Sequence, residues 1–135
     1  MVEITHKGIL MKWLFIILPL CLTNTFSGAL ELPNQADIRS AYCLKTFNIL
    51  LDTHLEEVKS QDESVNQITT DIIKTTKANQ KRLQNYLNNR VAFISDTSAI
   101  RDSEQQAIKD FRLRGDKQAT QRGTSCFKMD FLPQY

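Results

Sequence analysis

The sequence predicts an all-α fold: a small up-down-up three-helix bundle, with an extended C-terminal tail closed onto it by one disulfide. Three observations lead there. First, no proline lies between Pro33 and Pro133 and no glycine between Gly28 and Gly115, so the usual breakers of helix are missing over a long stretch. Second, stepping by seven from Leu44 reaches Leu51, Val58, Val65 and Ile72, then Asn79, Tyr86, Phe93, Ile100 and Ala107. Such a stripe is the mark of helices that pack on one another. Third, Cys43 and Cys126 are the only cysteines outside the N-terminal segment.

That segment reads as a secretory signal. Lys7 and Lys12 supply a basic start, residues 13–22 (WLFIILPLCL) an apolar run, and Ser27-Gly28-Ala29 small residues at the peptidase positions. Cleavage is expected between Ala29 and Leu30. Met11-Lys12 would begin a more compact signal by itself. The apolar run of ten residues is half the roughly 20 that a spanning helix needs, so no permanent anchor is expected. Leu20 before Cys21 is too large for a lipoprotein site. Removal of residues 1–29 leaves 106 residues with fifteen Lys and Arg against fourteen Asp and Glu. A chain of this size forms one domain, 30–135, with a modest core. Near-neutral charge gives no strong global steering toward nucleic acid. In an exported chain, two cysteines read most simply as one bond. The absence of Asn-x-Ser/Thr sequons from residues 30–135 suits a bacterial periplasm better than a eukaryotic secretory route, and the chain is expected to be periplasmic or secreted.

The helices are expected at about 35–60, 64–95 and 98–114. Asn34 and Asp37 begin the first. Two capping-box patterns, Ser60-Gln61-Asp62-Glu63 and Ser64-Val65-Asn66-Gln67, mark a turn near 60–64. Ser95-Asp96-Thr97-Ser98 marks a second turn. Thr75, Thr76 and Asn79 interrupt the stripe, either as a buried polar layer or as an exposed stretch. A straight helix from 43 to 95 would run about 78 Å and leave Cys126 barely able to return to Cys43. Folding back at 60–64 makes that return easy. The rival is a rod whose cysteines pair between chains. The alternation in Cys126-Phe-Lys-Met-Asp-Phe131 suggests extended packing of Phe127, Met129 and Phe131 over the bundle.

Little in the chain speaks for catalysis. Arg114-Gly115-Asp116 matches an adhesive tripeptide, but a glycine just past a helix is the ordinary left-handed stop, with Arg112 and Arg114 complementing the helix dipole. His54 is the only histidine beyond the leader; Glu56 and Glu57 do not complete a zinc-ligand spacing with it. No nucleophile elbow or phosphate-cradling glycine loop occurs. The carboxylate pairs lie in polar stretches where nothing raises a pKa. No cofactor, metal or catalytic residue is therefore assigned, and the chain is read as a non-enzyme.

The expected function is that of an exported, non-catalytic helical protein acting on an unidentified protein partner. In size and class it resembles small disulfide-bonded periplasmic immunity proteins, a likeness at the level of fold class alone, which implies an inhibitor-like role. The alternative is a peripheral binder of anionic lipid or envelope polymer. Its contacts would be Lys109, Arg112, Arg114, Lys117, Arg122 and Lys128, which with Asp110 and Asp116 give residues 109–128 a net charge of +4.

Overall fold

The computed structural model describes residues 29–53 and 62–134. The expected leader up to Gly28, His54, Glu56, Glu57 and the Ser60-Gln61 half of a capping pattern lie outside the described residues. Four α-helices follow in the unit that begins at Glu31: α1 (Gln35–Thr53), α2 (Glu63–Val91), α3 (Ser98–Arg112) and α4 (Lys117–Thr124), then a 3-10 turn, Ser125–Lys128.

Helix α1 begins with reciprocal caps. The Asp37 N–H donates to Asn34 Oδ1 and the Asn34 N–H to Asp37 Oδ2, each at 2.9 Å. Asp62 caps α2 by accepting from the Ser64 N–H at 2.9 Å, inside the turn that the sequence predicts. Helix α2 ends at Val91 rather than near 95. The reason is a competing pairing: the Glu31 N–H donates to Phe93 O (2.7 Å) and the Ser95 N–H to Glu31 O (2.8 Å). This isolated parallel bridge buries Ile94 beneath the chain entering α1.

The register follows from side-chain pairs. Asn48 accepts from Gln80 at 2.6 Å and Asp37 from Arg90 at 2.9 Å, so α2 runs antiparallel to α1. Ser103 donates to Ile38 O and Tyr42 to Asp110, so α3 returns parallel to α1. The up-down-up order is as expected. Helix α1 occupies its centre, packing extensively on both α2 and α3. Residues 40–44 are consecutively buried, which happens only when neighbours surround a helix.

By contrast, α2 packs along part of its length. Antiparallel register from Asn48–Gln80 puts Thr53 opposite about residue 75, and the earlier turns of α2 run beyond the described end of α1. Its buried residues are Thr76 and Leu83, while Val65, Ile68 and Ile72 are exposed. Of the three polar residues interrupting the stripe, Thr76 is fully buried with its hydroxyl donating to Ile72 O (2.7 Å), whereas Thr75 is exposed. The heptad stripe thus identifies the helices but misplaces the face of α2.

The core gathers Tyr42, Leu44, Phe47, Leu83, Ala107, Met129 and Leu132 around the bond between Cys43 and Cys126. Both cysteines are fully buried, and their pairing within one chain replaces the rod. The tail differs from expectation. It is helical to Lys128, and Met129 turns it in the left-handed region at φ 54°. Met129 is buried and Phe131 packs on the core, but Phe127 is partly exposed, edge-on to Phe47 at 5.0 Å. Arg39 clamps this tail to α1. Its guanidinium donates to Arg122 O at 3.1 Å and to Ser125 Oγ, and lies over the rings of Tyr42 (5.3 Å) and Phe131 (5.9 Å).

Because the bond spans 83 residues, opening it releases about 4.5 kcal/mol of chain entropy to the unfolded state. Urea unfolding with and without reductant, or of a Cys43→Ala/Cys126→Ala variant, is expected to show a loss of that order. The intact chain should weigh two hydrogens less before reduction, with no covalent dimer.

Candidate functional site

The site grows out of the corner between α3 and α4. Helix α3 stops at Arg112, and the Leu113 N–H closes it on the carbonyls of Lys109 and Asp110. Gly115 takes φ 86°, the left-handed geometry expected of it. Asp116 then caps α4, accepting from the Ala119 N–H at 2.8 Å. The tripeptide Arg114-Gly115-Asp116 is therefore the end of one helix and the start of another. A capping aspartate two residues before Gln118-Ala119-Thr120 was the local signal for α4.

Reversal at this corner lays α4 beside the C-terminal half of α3 and the outer face of α1. Between them runs an open groove of about 700 Å³. Tyr42, Thr46 and Leu50 line it from α1, Ala107 and Phe111 from α3, Ala119 and Gly123 from α4. Phe127 and Ile72 close one side, and there a smaller hollow of about 270 Å³ continues past Ile68 and Thr75 of α2.

One carboxylate, Asp110, borders the groove, and it is fully engaged. Arg122 grips it in a fork, Nε to Oδ2 and Nη2 to Oδ1, both 2.7 Å. The Tyr42 hydroxyl donates to Oδ2 and Gln106 Nε2 to Oδ1, again at 2.7 Å. The hydrogen bonds from Arg122 hold the Asp110 carboxyl well below the usual carboxylate range, against the opposing effect of burial. Burial and the bond to Asp110 push the Tyr42 phenol up to about 12.

In the first turn of α1 a second cluster repeats this chemistry. Arg90 forks onto Asp37 (2.9 and 3.0 Å), the Tyr86 hydroxyl donates to it at 2.9 Å, and Arg90 also reaches Glu31 at 3.1 Å. Burial opposes ionisation of Asp37, but bonds from Arg90, the Asn34 backbone and Tyr86 outweigh it and keep the carboxyl below its ordinary value. Sequence reading found Asp37 only as a helix start and missed both clusters. Their partners are separated by up to 68 residues, and no local pattern announces them.

The six cations expected to form an anionic contact are not brought together as one set. Lys109, Arg112, Arg114, Lys117 and Lys128 are exposed. Arg122 instead turns inward to Asp110. Arg114 lines the groove, its guanidinium 5.5 Å from the centre of the Phe111 ring. Among the described residues, no group of three or more His, Cys, Asp or Glu could hold a metal ion.

No protein-family model matches the chain, and neither a curated protein nor a solved structure was found similar to it.

Asp110→Asn replaces the Oδ2 that accepts from the Tyr42 hydroxyl and Arg122 Nε with an amide nitrogen and removes the charge that Arg122 pairs with. Arg122 is partly open to water, so the expected cost is about 2–3 kcal/mol, below that of a wholly buried pair. Asp37 and Asp110 have depressed folded pKa values, so their stabilisation is complete above the ordinary value of 3.8 and lost as pH falls from there through their lower folded values. Tyr42 behaves in the opposite sense: its contribution is complete below 10 and lost as pH rises from 10 toward 12. Thermal melts from pH 2 to 11 should show both declines, with the acid limb shallower in Asp110→Asn.

Proposed function

We propose that the chain works outside the cytoplasm, without catalysis of its own, by contact with a protein partner in an inhibitor- or immunity-like manner. The contact surface is the apolar ridge on the first turns of α2 together with the adjoining rim of the groove. The observation that carries this reading is the exposure of Ile68 (60%), Ile72 (41%) and Phe127 (38%) on neighbouring hollows. Apolar groups clustered on a surface mark contact sites more often than single exposed ones do. A disulfide at the centre of the core suits an oxidising compartment, in keeping with the signal expected over residues 1–29. No helix among the described residues is long and apolar enough to cross a membrane. The perturbed carboxylates, elsewhere the first candidates for acid–base work, are here bound by arginine and tyrosine in structural braces.

A benzophenone amino acid placed at Ile68 should cross-link to one discrete envelope protein, while the same group at exposed Arg101 on α3 should not. Equal labelling from both positions, or none from Ile68, overturns the reading.

A second reading, attachment to an anionic envelope surface, draws on the exposed Lys109, Arg112, Lys117 and Lys128. It requires salt-sensitive co-sedimentation with anionic vesicles that falls when Arg112, Arg114 and Lys117 are neutralised. Sedimentation unchanged by those substitutions removes it.

A further inference from the structure

We propose that the cleft where α1, α2 and α3 meet is a binding site for a free α-amino acid with an apolar side chain, its carboxylate held by Lys45 and its ammonium by Glu104. The inference goes beyond the protein-contact reading and does not rest on it.

This cleft is separate from the α4 groove and shares no lining residue with it. Leu44, Lys45 and Asn48 line it from α1, on the side of that helix turned away from Tyr42, Thr46 and Leu50. Leu44 and Ile94, both buried, form an apolar floor with the half-buried Leu87 and Ile100. The volume is about 320 Å³, near the lower end of the roughly 300–1,000 Å³ of small-molecule sites. There is room for one small ligand.

Two charged residues line the cleft, Lys45 from α1 and Glu104 from α3, and both are half-buried. Neither has an ion-pair partner among the described residues, and they do not bridge each other. Elsewhere in the bundle charge that leaves water is answered: Asp37 and Asp110 each meet a forked arginine. One cation and one anion, held apart on facing walls, match a ligand that carries one charge of each sign.

The amides sort the two walls. Gln80 Nε2 donates to Asn48 Oδ1 at 2.6 Å and Gln84 Nε2 to Asn88 Oδ1 at 2.9 Å. Each asparagine thus spends its carbonyl oxygen on a neighbour and keeps Nδ2 as a donor. Donors therefore gather on the α1 and α2 walls: the Lys45 ammonium, one turn from Asn48, and the amide nitrogens of Asn48 and Asn88. The α3 wall offers an acceptor. Thr97, Ile100 and Glu104 recur at i, i+3 and i+7 and so share one helix face. The Thr97 hydroxyl makes no cap bond to its own helix. A carboxylate finds donors on one side, an ammonium finds the Glu104 carboxylate on the other, and an apolar group finds the floor. An α-amino acid carries all three on one carbon.

The test uses the full disulfide-bonded chain and four probes. They are leucine, 4-methylpentanoate (no ammonium), 3-methylbutylamine (no carboxylate) and glycine (no side chain). Calorimetry should place leucine about fivefold or more above each of the others. Lys45→Gln should weaken leucine about fivefold and leave 3-methylbutylamine unchanged. Glu104→Gln should weaken leucine by a similar factor and leave 4-methylpentanoate unchanged. Since neither side chain is paired in the bundle, both variants should keep the parent melting temperature. Amide shifts on adding leucine to the unaltered chain should centre on Leu44, Asn88 and Ile100, a readout that needs no variant. Absence of leucine binding, equal affinity for leucine and either truncated analogue, or shifts centred elsewhere would overturn the proposal. So would leucine binding that survives both substitutions. Affinity that depends on Lys45 and the carboxylate but is indifferent to Glu104 would also overturn it, and would make the cleft a plain anion site.

Discussion

The bond between Cys43 and Cys126 is the constraint on which the rest of the architecture depends. It joins the middle of α1, the one helix packed by neighbours on both sides, to the far end of a chain whose last 23 residues after Arg112 have little core of their own. Once Cys126 is anchored at the centre, α4 has only one course back from the Gly115 corner, along α1 and α3. The placement of α4, the burial of Met129 and Leu132, and the groove all follow from that anchor. A core of so few large side chains gains much from such a link, because small domains bury a small share of their surface.

Two carboxylates in the bundle take the same solution to the same problem. Asp37 and Asp110 are removed from water, and each is met by a forked arginine and a tyrosine hydroxyl. Burying charge is costly unless every lone pair is answered, and here the answers come from different helices. Asp37 binds α1 to the end of α2 and, through Arg90 and Glu31, to the strand-like entry segment. Asp110 binds α3 to α1 and α4. Such pairs do less for stability than for register; an apolar core of alternating Leu and Ala would let these helices slide, whereas a displaced fork leaves a bare charge.

These braces also shape the functional surface. Arg122 lies in the most basic stretch of the chain, yet its guanidinium is turned onto Asp110, which pairs a cation of that stretch with the one carboxylate that borders the groove among the described residues. The threonines of the groove walls answer their own hydroxyls within their helices. What remains there for a partner is apolar. That division, polar groups satisfied internally and apolar groups left outside, is what directs the functional reading toward recognition.

Helix content, the order of the helices, the turns near 62 and 96, the caps at Asn34 and Asp37, the left-handed Gly115 and the cysteine pairing were legible in the sequence. All are set by interactions within a few residues, or by there being just two cysteines to join outside the N-terminal segment. The stripe from Leu44 failed on α2, where Val65 and Ile72 are exposed and Thr76 is buried, because periodicity states that a helix has an apolar face but not how far a neighbour extends along it. The ends of α2 and of the tail were decided by tertiary pairing: Glu31 drew residues 93–95 out of the helix, and the anchored Cys126 let a short α4 form that would be marginal alone. The Asp–Arg–Tyr clusters and the groove had no local signature at all. Each depends on residues far apart in the chain meeting at hydrogen-bond or van der Waals distance, and only the packing of α1 against its neighbours determines which do.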